Sequence, residues 1–203
     1  MPTSRPSSRR PAAETRARIL QVAVELFTEK GYEATSVRDI SEALDLTKSS
    51  LYYHFRNKED ILASLMAERR DEAAELVEWI TAQPPAADLT RRAVLRWLDG
   101  TDGQNLQVLR LAQANQPVIR RLAAQGGDVP RVFDRVLAAL AGEGASDAAL
   151  LRLRMAFDTV RTTLLAAQGT AASDGDILAC ARRAAIALTE PSFLDAGEAD
   201  GAE

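Results

Sequence analysis

The chain has 203 residues, a formal net charge of −4 and a single cysteine, Cys180. That length fits one domain of ordinary size, or a small module plus a larger one, and it can bury a substantial core without covalent staples. One thiol excludes an intramolecular disulfide, no apolar run approaches the ~20 residues of a membrane span, and no signal-peptide core is present, so a soluble cytoplasmic protein is expected.

Residues 1–12, MPTSRPSSRRPA, are rich in Pro, Ser and Arg and have almost nothing to bury. A disordered basic arm is expected there. From about Ala13 to Lys30 the pattern is helical, with Ile19, Leu20, Ala23, Leu26 and Phe27 on one face and Gly31 as the stop. Ser36 opens a second helix over 37–44, and Asp39 lies three residues on, where its carboxylate reaches back to the cap. Val37, Ile40, Ala43 and Leu44 form the inner face of that helix. After a turn at Asp45-Leu46, Thr47 caps a third short helix, 48–55. Asn57 caps a fourth, with Asp60 at its third position, running to about Thr81. Gln83-Pro84-Pro85 breaks the chain. Further helices are expected over 88–99, 104–115, 117–125, 129–141, 146–168 and 174–189, with Pro117 and Pro130 near helix starts, where a missing N–H does no harm. Residues 191–203 are acidic, with no base, and read as a flexible tail. No stretch shows the period-two alternation of a strand, so the expected fold class is all-α.

Two short helices joined by a turn of about three residues have the spacing of a helix-turn-helix. On a wheel of the third helix, Leu51 and Phe55 share a face and can pack, with Ile40 and Leu46, against Leu20, Phe27 and Ile61. Ser49 and Tyr53 then point to solvent, Ser50 and Tyr52 flank them, and His54 lies toward one edge. Hydroxyls, phenols and a lysine suit base edges and phosphate oxygens better than an idle surface. Lys48 and Ser49 stand at a helix N-terminus, where backbone N–H groups favour a phosphate, and Lys58 repeats this at the next helix. At the flank, Tyr52 fits either a contact or ordinary surface packing, and His54 fits either a contact or a structural role. The charge distribution agrees. Residues 1–60 hold ten Lys/Arg against nine Asp/Glu, while 61–203 hold fifteen against twenty, and all three lysines lie in the first sixty residues.

Residues 15–62, TRARILQVAVELFTEKGYEATSVRDISEALDLTKSSLYYHFRNKEDIL, resemble the DNA-binding domain of the TetR family of bacterial transcriptional repressors. The resemblance covers about a quarter of the chain. It implies a helix-turn-helix domain at 13–59, an effector-binding and dimerisation domain at 60–190, and a homodimer on a pseudo-palindromic double-stranded DNA operator. It assigns DNA contacts to Arg38, Thr47, Lys48, Ser49, Ser50, Tyr52, Tyr53, His54 and Lys58. Two positions depart from the family pattern. Asp45 stands where the turn often holds glycine, and aspartate tolerates the left-handed conformation. Ser49 stands where glycine is common, and an altered base preference is expected. In the arm, Arg5, Arg9 and Arg10 fit either a minor-groove contact or an idle leader.

In the remaining helices, Leu150, Leu153, Phe157, Val160 and Leu164 recur at helical spacing, as do Ile177, Ala181, Ala184, Ala185 and Leu188. Helices 146–168 and 174–189 are the expected dimer interface, although periodicity alone does not separate this from intrachain core. Trp79, Trp97, Phe133, Met155 and Phe157 are candidates to line a pocket for an unidentified small-molecule effector, with Asn105, Arg110 and Gln113 as polar handles. A helical protein-interaction module, or a regulator controlled by a protein instead of a small molecule, is the alternative. An enzyme is not expected. There is no G-x-S-x-G, no phosphate loop and no Cys/His metal spacing, so no cofactor is expected either.

Overall fold

The computed structural model describes residues 9–124, 129–142 and 144–194. Among them every regular element is helical: α1 (Arg9–Lys30), α2 (Val37–Ala43), α3 (Lys48–His54), α4 (Lys58–Thr81), α5 (Leu89–Asp99), α6 (Gly103–Ala114), α7 (Gln116–Ala124), α8 (Val129–Ala141), α9 (Asp147–Phe157), α10 (Thr159–Ala166), α11 (Asp174–Leu188) and α12 (Pro191–Leu194). The fold is all-α.

Most boundaries agree with expectation to within one residue, and three regions differ by more. α1 begins at Arg9, not near Ala13, so the expected arm of residues 1–12 overlaps a helix. Pro11 lies in the first turn, where its missing N–H was an orphan anyway. Residues 1–8, including Arg5, lie outside the described residues. The expected single helix 146–168 is two helices. At Asp158 the backbone (φ −81°, ψ 5°) leaves the helix, and the buried Thr159 turns its hydroxyl onto the carbonyl of Ala156 at 3.2 Å. The expected tail at 191–203 begins with the short helix α12, and residues 195–203 lie outside the described residues.

The chain divides into two compact units, Met1–Met66 with Gln107–Gly127, and Ala67–Leu106 with Asp128–Glu203. In the first, Ile19, Leu20, Ala23, Val24 and Phe27 of α1 meet Ile40, Leu51, Phe55, Ile61, Leu62 and Leu65 in one buried cluster. Val108, Leu111 and Val118 from α6 and α7 complete it. Each large side chain fully buried there contributes roughly 1.5–3 kcal/mol.

Local chemistry fixes the short helices of this unit. Ser36 and Asp39 form a reciprocal capping box. The Ser36 hydroxyl accepts from the Asp39 N–H at 3.2 Å, and the Asp39 carboxylate accepts from the Ser36 N–H at 2.7 Å. The hydroxyl and backbone N–H of Ser36 hold the Asp39 carboxyl below the usual carboxylate range. Its folded pKa is therefore below its unfolded one. The stability it contributes is present above the ordinary value and is lost as pH falls through the depressed one. Asp39→Asn is expected to flatten the acid limb of melting temperature against pH, and an unchanged limb would show that the box is idle. Ser173 and Asp176 form the same box at the start of α11 and depress Asp176 in the same way.

The end of α2 has the Schellman pattern. The Leu46 N–H donates to the Ser41 carbonyl at 2.9 Å and the Asp45 N–H to the Glu42 carbonyl at 3.1 Å. This requires the left-handed conformation that Asp45 adopts at φ 53°.

In the second unit α11 packs on α10, α5 and α9, and α8 packs on α9. Ala181 and Ala185 are buried on α11, with Val160 and Leu164 on α10 and Leu153, Ala156 and Phe157 on α9. Leu151 (60% exposed) and Met155 share the outer face of α9, while Leu165 (59%) on α10 and Ile186 on α11 are also exposed.

Candidate functional site

The outer face of α3 carries the side chains that the sequence places there. Thr47 caps the helix by accepting from the Ser50 N–H at 3.1 Å, which commits its hydroxyl to the helix start. Lys48 and Ser49 are exposed, and Ser50 is half-buried. Tyr53 is 81% exposed and Tyr52 52%, against 0% for Leu51 and 1% for Phe55. The wheel therefore separates inner from outer residues correctly. The Tyr53 ring meets the His54 ring edge-on, with centroids 5.2 Å apart, and His54 is half-buried at the edge of the face. On α2, Arg38 is exposed and pairs with Glu42 one turn on at 2.5 Å. An exposed i,i+4 pair of this kind is worth little and is readily exchanged for another partner.

Lys58 is placed otherwise than the resemblance assigns it. Its ammonium donates to the carbonyl of Tyr32 at 2.6 Å, lies 4.2 Å from the centre of the Tyr32 ring and stands 3.9 Å from the Glu33 carboxylate. Its side chain is only 17% exposed. The cation thus braces the loop between α1 and α2 from the start of α4. Beneath it, Tyr32 is buried against Phe27, and burial, with Glu59 and Glu33 adding to it, pushes its phenol up to about 12.

Arg16 was not singled out by sequence. From α1 its Nη1 donates to the carbonyl of His54 at 3.0 Å, its Nη2 to the hydroxyl of Ser64 at 2.7 Å, and its guanidinium lies 4.2 Å from the centre of the Phe55 ring. The signal was present. Arg16 continues the stripe Ile19, Leu20, Ala23 and Phe27, a charge on an otherwise apolar face.

Within the second unit a cleft of about 570 Å³ is lined by Glu72, Glu75 and Leu76 of α4, by Arg92, Leu95, Arg96, Trp97 and Asp99 of α5, by Gly100 and by Arg182. Of the eight candidate pocket residues, Trp97 lines it. Phe133 meets Trp97 edge-on at 5.5 Å between centroids, and Phe157 meets Phe133 at 5.2 Å, so three candidates form one ring cluster. Trp79 lies beneath the guanidinium groups of Arg96 and Arg92, at 5.2 and 5.9 Å. The others are placed elsewhere. Met155 is exposed on α9. Asn105 donates to the carbonyl of Gly100 at 2.9 Å and closes a turn. Arg110 and Gln113 belong to the first unit. Sequence reasoning missed Arg92 and Arg96, whose i,i+4 spacing puts two guanidinium groups on one face of α5.

Behind the cleft, Arg69 stacks on Trp97 at 4.1 Å and pairs with Glu72 at 2.5 Å. Burial lowers the pKa of Arg69 and raises that of Glu72, both against the direction that the ion pair alone would give. Desolvation outweighs attraction here, as it does for many buried pairs. Among the described residues no group of His, Cys, Asp and Glu could hold a metal ion, and no helix is long and apolar enough to cross a membrane.

The chain matches known proteins over these same elements. The profile of the bacterial regulatory proteins of the tetR family matches residues 19–65. The chain is 50% identical over 44 residues to IcaR of Staphylococcus epidermidis, the negative transcriptional regulator of the biofilm operon icaADBC, covering 22% of this chain and 24% of that one. It is 32% identical over 92 residues to the transcriptional regulator AcrR of Shigella flexneri, covering 44% and 43%. The matches thus span less than half the length of these curated relatives. In fold it is similar to the transcriptional regulator FadR of Bacillus subtilis in complex with stearoyl-CoA, with a TM-score of 0.63 at 19% identity over 86% of this chain and 97% of that one. The matched segment contains the capping box, the Schellman turn and the exposed face of α3, and it is over this segment, residues 19–65, that the chain matches the tetR family of bacterial regulatory proteins.

Proposed function

We propose that the chain is a sequence-specific DNA-binding transcriptional regulator, a repressor that binds a pseudo-palindromic operator as a homodimer and is released by a small ligand. The observation that carries the reading is the face of α3. Lys48, Ser49, Tyr52 and Tyr53 stand exposed on a helix whose inner side, Leu51 and Phe55, is buried. Thr47, Ser50 and His54 border that face, with the Thr47 hydroxyl acting through the helix start, and Arg38 is exposed on the preceding helix α2. A binder selection from a random duplex pool tests it, using the wild type and Tyr53→Ala in parallel. An inverted repeat recovered only by the wild type is expected. No enriched motif from folded protein at low salt would remove sequence reading by α3 and leave the interaction-module reading.

The dimer is supported by Leu151, Met155, Leu165 and Ile186 on α9 to α11, large apolar side chains that are exposed. Sedimentation at micromolar concentration is expected to give a dimer, and Leu165→Glu with Ile186→Glu a monomer of unchanged helicity. A wild-type monomer with intact helices refutes this interface.

For the effector, the cleft beside Trp97 is the proposed site. Leu76, Leu95 and Trp97 supply an apolar wall and Arg92 and Arg96 a polar rim, a combination that suits an amphipathic small molecule. Ligand binding there is expected to quench Trp97 emission, raise the melting temperature and weaken operator binding together. A ligand panel that moves none of these favours control by a protein.

A further inference from the structure

We propose that Arg16 is a positioning residue for base recognition: it ties the last turn of α3 to α1 and α4 and so fixes the direction in which Tyr53 is presented. This rests on the reading that α3 meets base edges. α3 has seven residues, fewer than two turns, and a helix so short does not hold its own geometry. Its start is held by Thr47 and by the turn at Asp45. Its end has carbonyls without intrahelical partners. The chain leaves the helix immediately at Phe55, in an extended conformation with φ −142° and ψ 129°. The carbonyl of His54 would then be free to swing. Arg16 supplies the missing donor there at 3.0 Å, and a cation at a helix C-terminus is also favoured by the helix dipole.

The second nitrogen of the same guanidinium reaches Ser64, whose hydroxyl in turn donates to the carbonyl of Asp60 at 2.9 Å. The central carbon of the group lies over the Phe55 ring, 4.2 Å from its centre. One rigid fork thus sets three distances at once, which a lysine ammonium cannot reproduce. Arg16 sits on the inner stripe of α1 behind α3, so it acts through the helix and not on DNA. Its loss loosens the turn that carries Tyr53 and His54. The effect falls on discrimination between sequences, because phosphate contacts carry no sequence information.

Arg16→Lys and Arg16→Met are compared with the wild type and Tyr53→Ala on the selected duplex and on a scrambled duplex, each corrected for active fraction by stoichiometric titration. Affinity for the selected duplex is expected to fall about tenfold in both Arg16 variants, with the scrambled duplex and the salt slope unchanged. In the DNA-free protein, amide exchange at His54 and Phe55 is expected to accelerate while the middle of α1 keeps its protection. A purely stabilising role would lower the active fraction and leave the ratio of the two affinities untouched, which overturns the proposal. Equal losses on both duplexes, with a salt slope reduced by about one, would make Arg16 a phosphate contact and also overturn it. If Tyr53→Ala loses discrimination and the Arg16 variants keep it, the Arg16 proposal alone fails. If the wild type discriminates nothing, the reading of α3 fails and takes this one with it.

Discussion

Tyr53→Ala is expected to weaken binding to the selected operator by about ten- to a hundredfold, since a base contact is worth about 1–3 kcal/mol. The melting temperature is expected to stay the same, because a side chain 81% exposed contributes almost nothing to the core. In a dimer each subunit loses its own contact, so the upper end of that range is expected if both half-sites engage. Lys48→Ala separates charge from sequence. It removes an exposed cation at the start of α3, so binding to all duplexes should weaken together and the salt slope should fall by about one for each phosphate released. Fluorescence anisotropy at several salt concentrations reads both effects. If Tyr53→Ala costs stability and leaves affinity intact, the phenol belongs to the fold and the outer face of α3 is not the reading surface.

Leu51→Ala has the opposite signature. Leu51 is 0% exposed between α1, α2 and α4 and is the only fully buried side chain of α3. Truncating such a leucine removes its transfer energy and leaves a cavity, a combined cost of about 3–5 kcal/mol. Typical domains are stable by about 5–15 kcal/mol, so the variant should unfold at markedly lower denaturant and lose DNA binding through the loss of folded protein. The neighbouring Tyr52→Ala serves as the control and should unfold with the wild type. A loss below about 1 kcal/mol for Leu51→Ala would mean that α3 is not packed through this residue.

The first unit was legible where its structure depends on neighbours in sequence. The Ser36–Asp39 box, the Thr47 cap and the left-handed Asp45 are set by residues within a few positions, and the 100° step of a helix separates Leu51 from Tyr53. What escaped depends on distant partners. Lys58 reaches back 26 residues to Tyr32, and Arg16 forward 38 residues to His54, and no local pattern carries such distances. The same holds for Val108, Leu111 and Val118, whose helices look in sequence like any other part of a second domain yet join the core around α1. The break at Asp158 was hidden because apolar spacing continues through it, and only the buried hydroxyl of Thr159 marks the place. Of the aromatic candidates, Trp97 was legible as a residue of the cleft wall, and Phe133 and Phe157 are joined to it only through ring contacts. The arginines of α5 were not, since a solvated face and the rim of a cleft share one composition.

The placement of Lys58 has a consequence for how such a protein would find its target. Weak, sequence-blind attachment to chromosomal DNA grows with the number of loose cations that a protein presents to phosphates. With Lys58 withdrawn under the loop, Lys48 and Arg56 stand exposed on α3 and its flank, while Arg38 on α2 is paired with Glu42. A face so sparingly charged would spend little time on decoy sequence, and its occupancy of the true site would rest on the phenols and hydroxyls of α3. Few copies per cell would then suffice to keep one operator filled, because what matters against a genome of competitors is the ratio of the two affinities and not the strength of either.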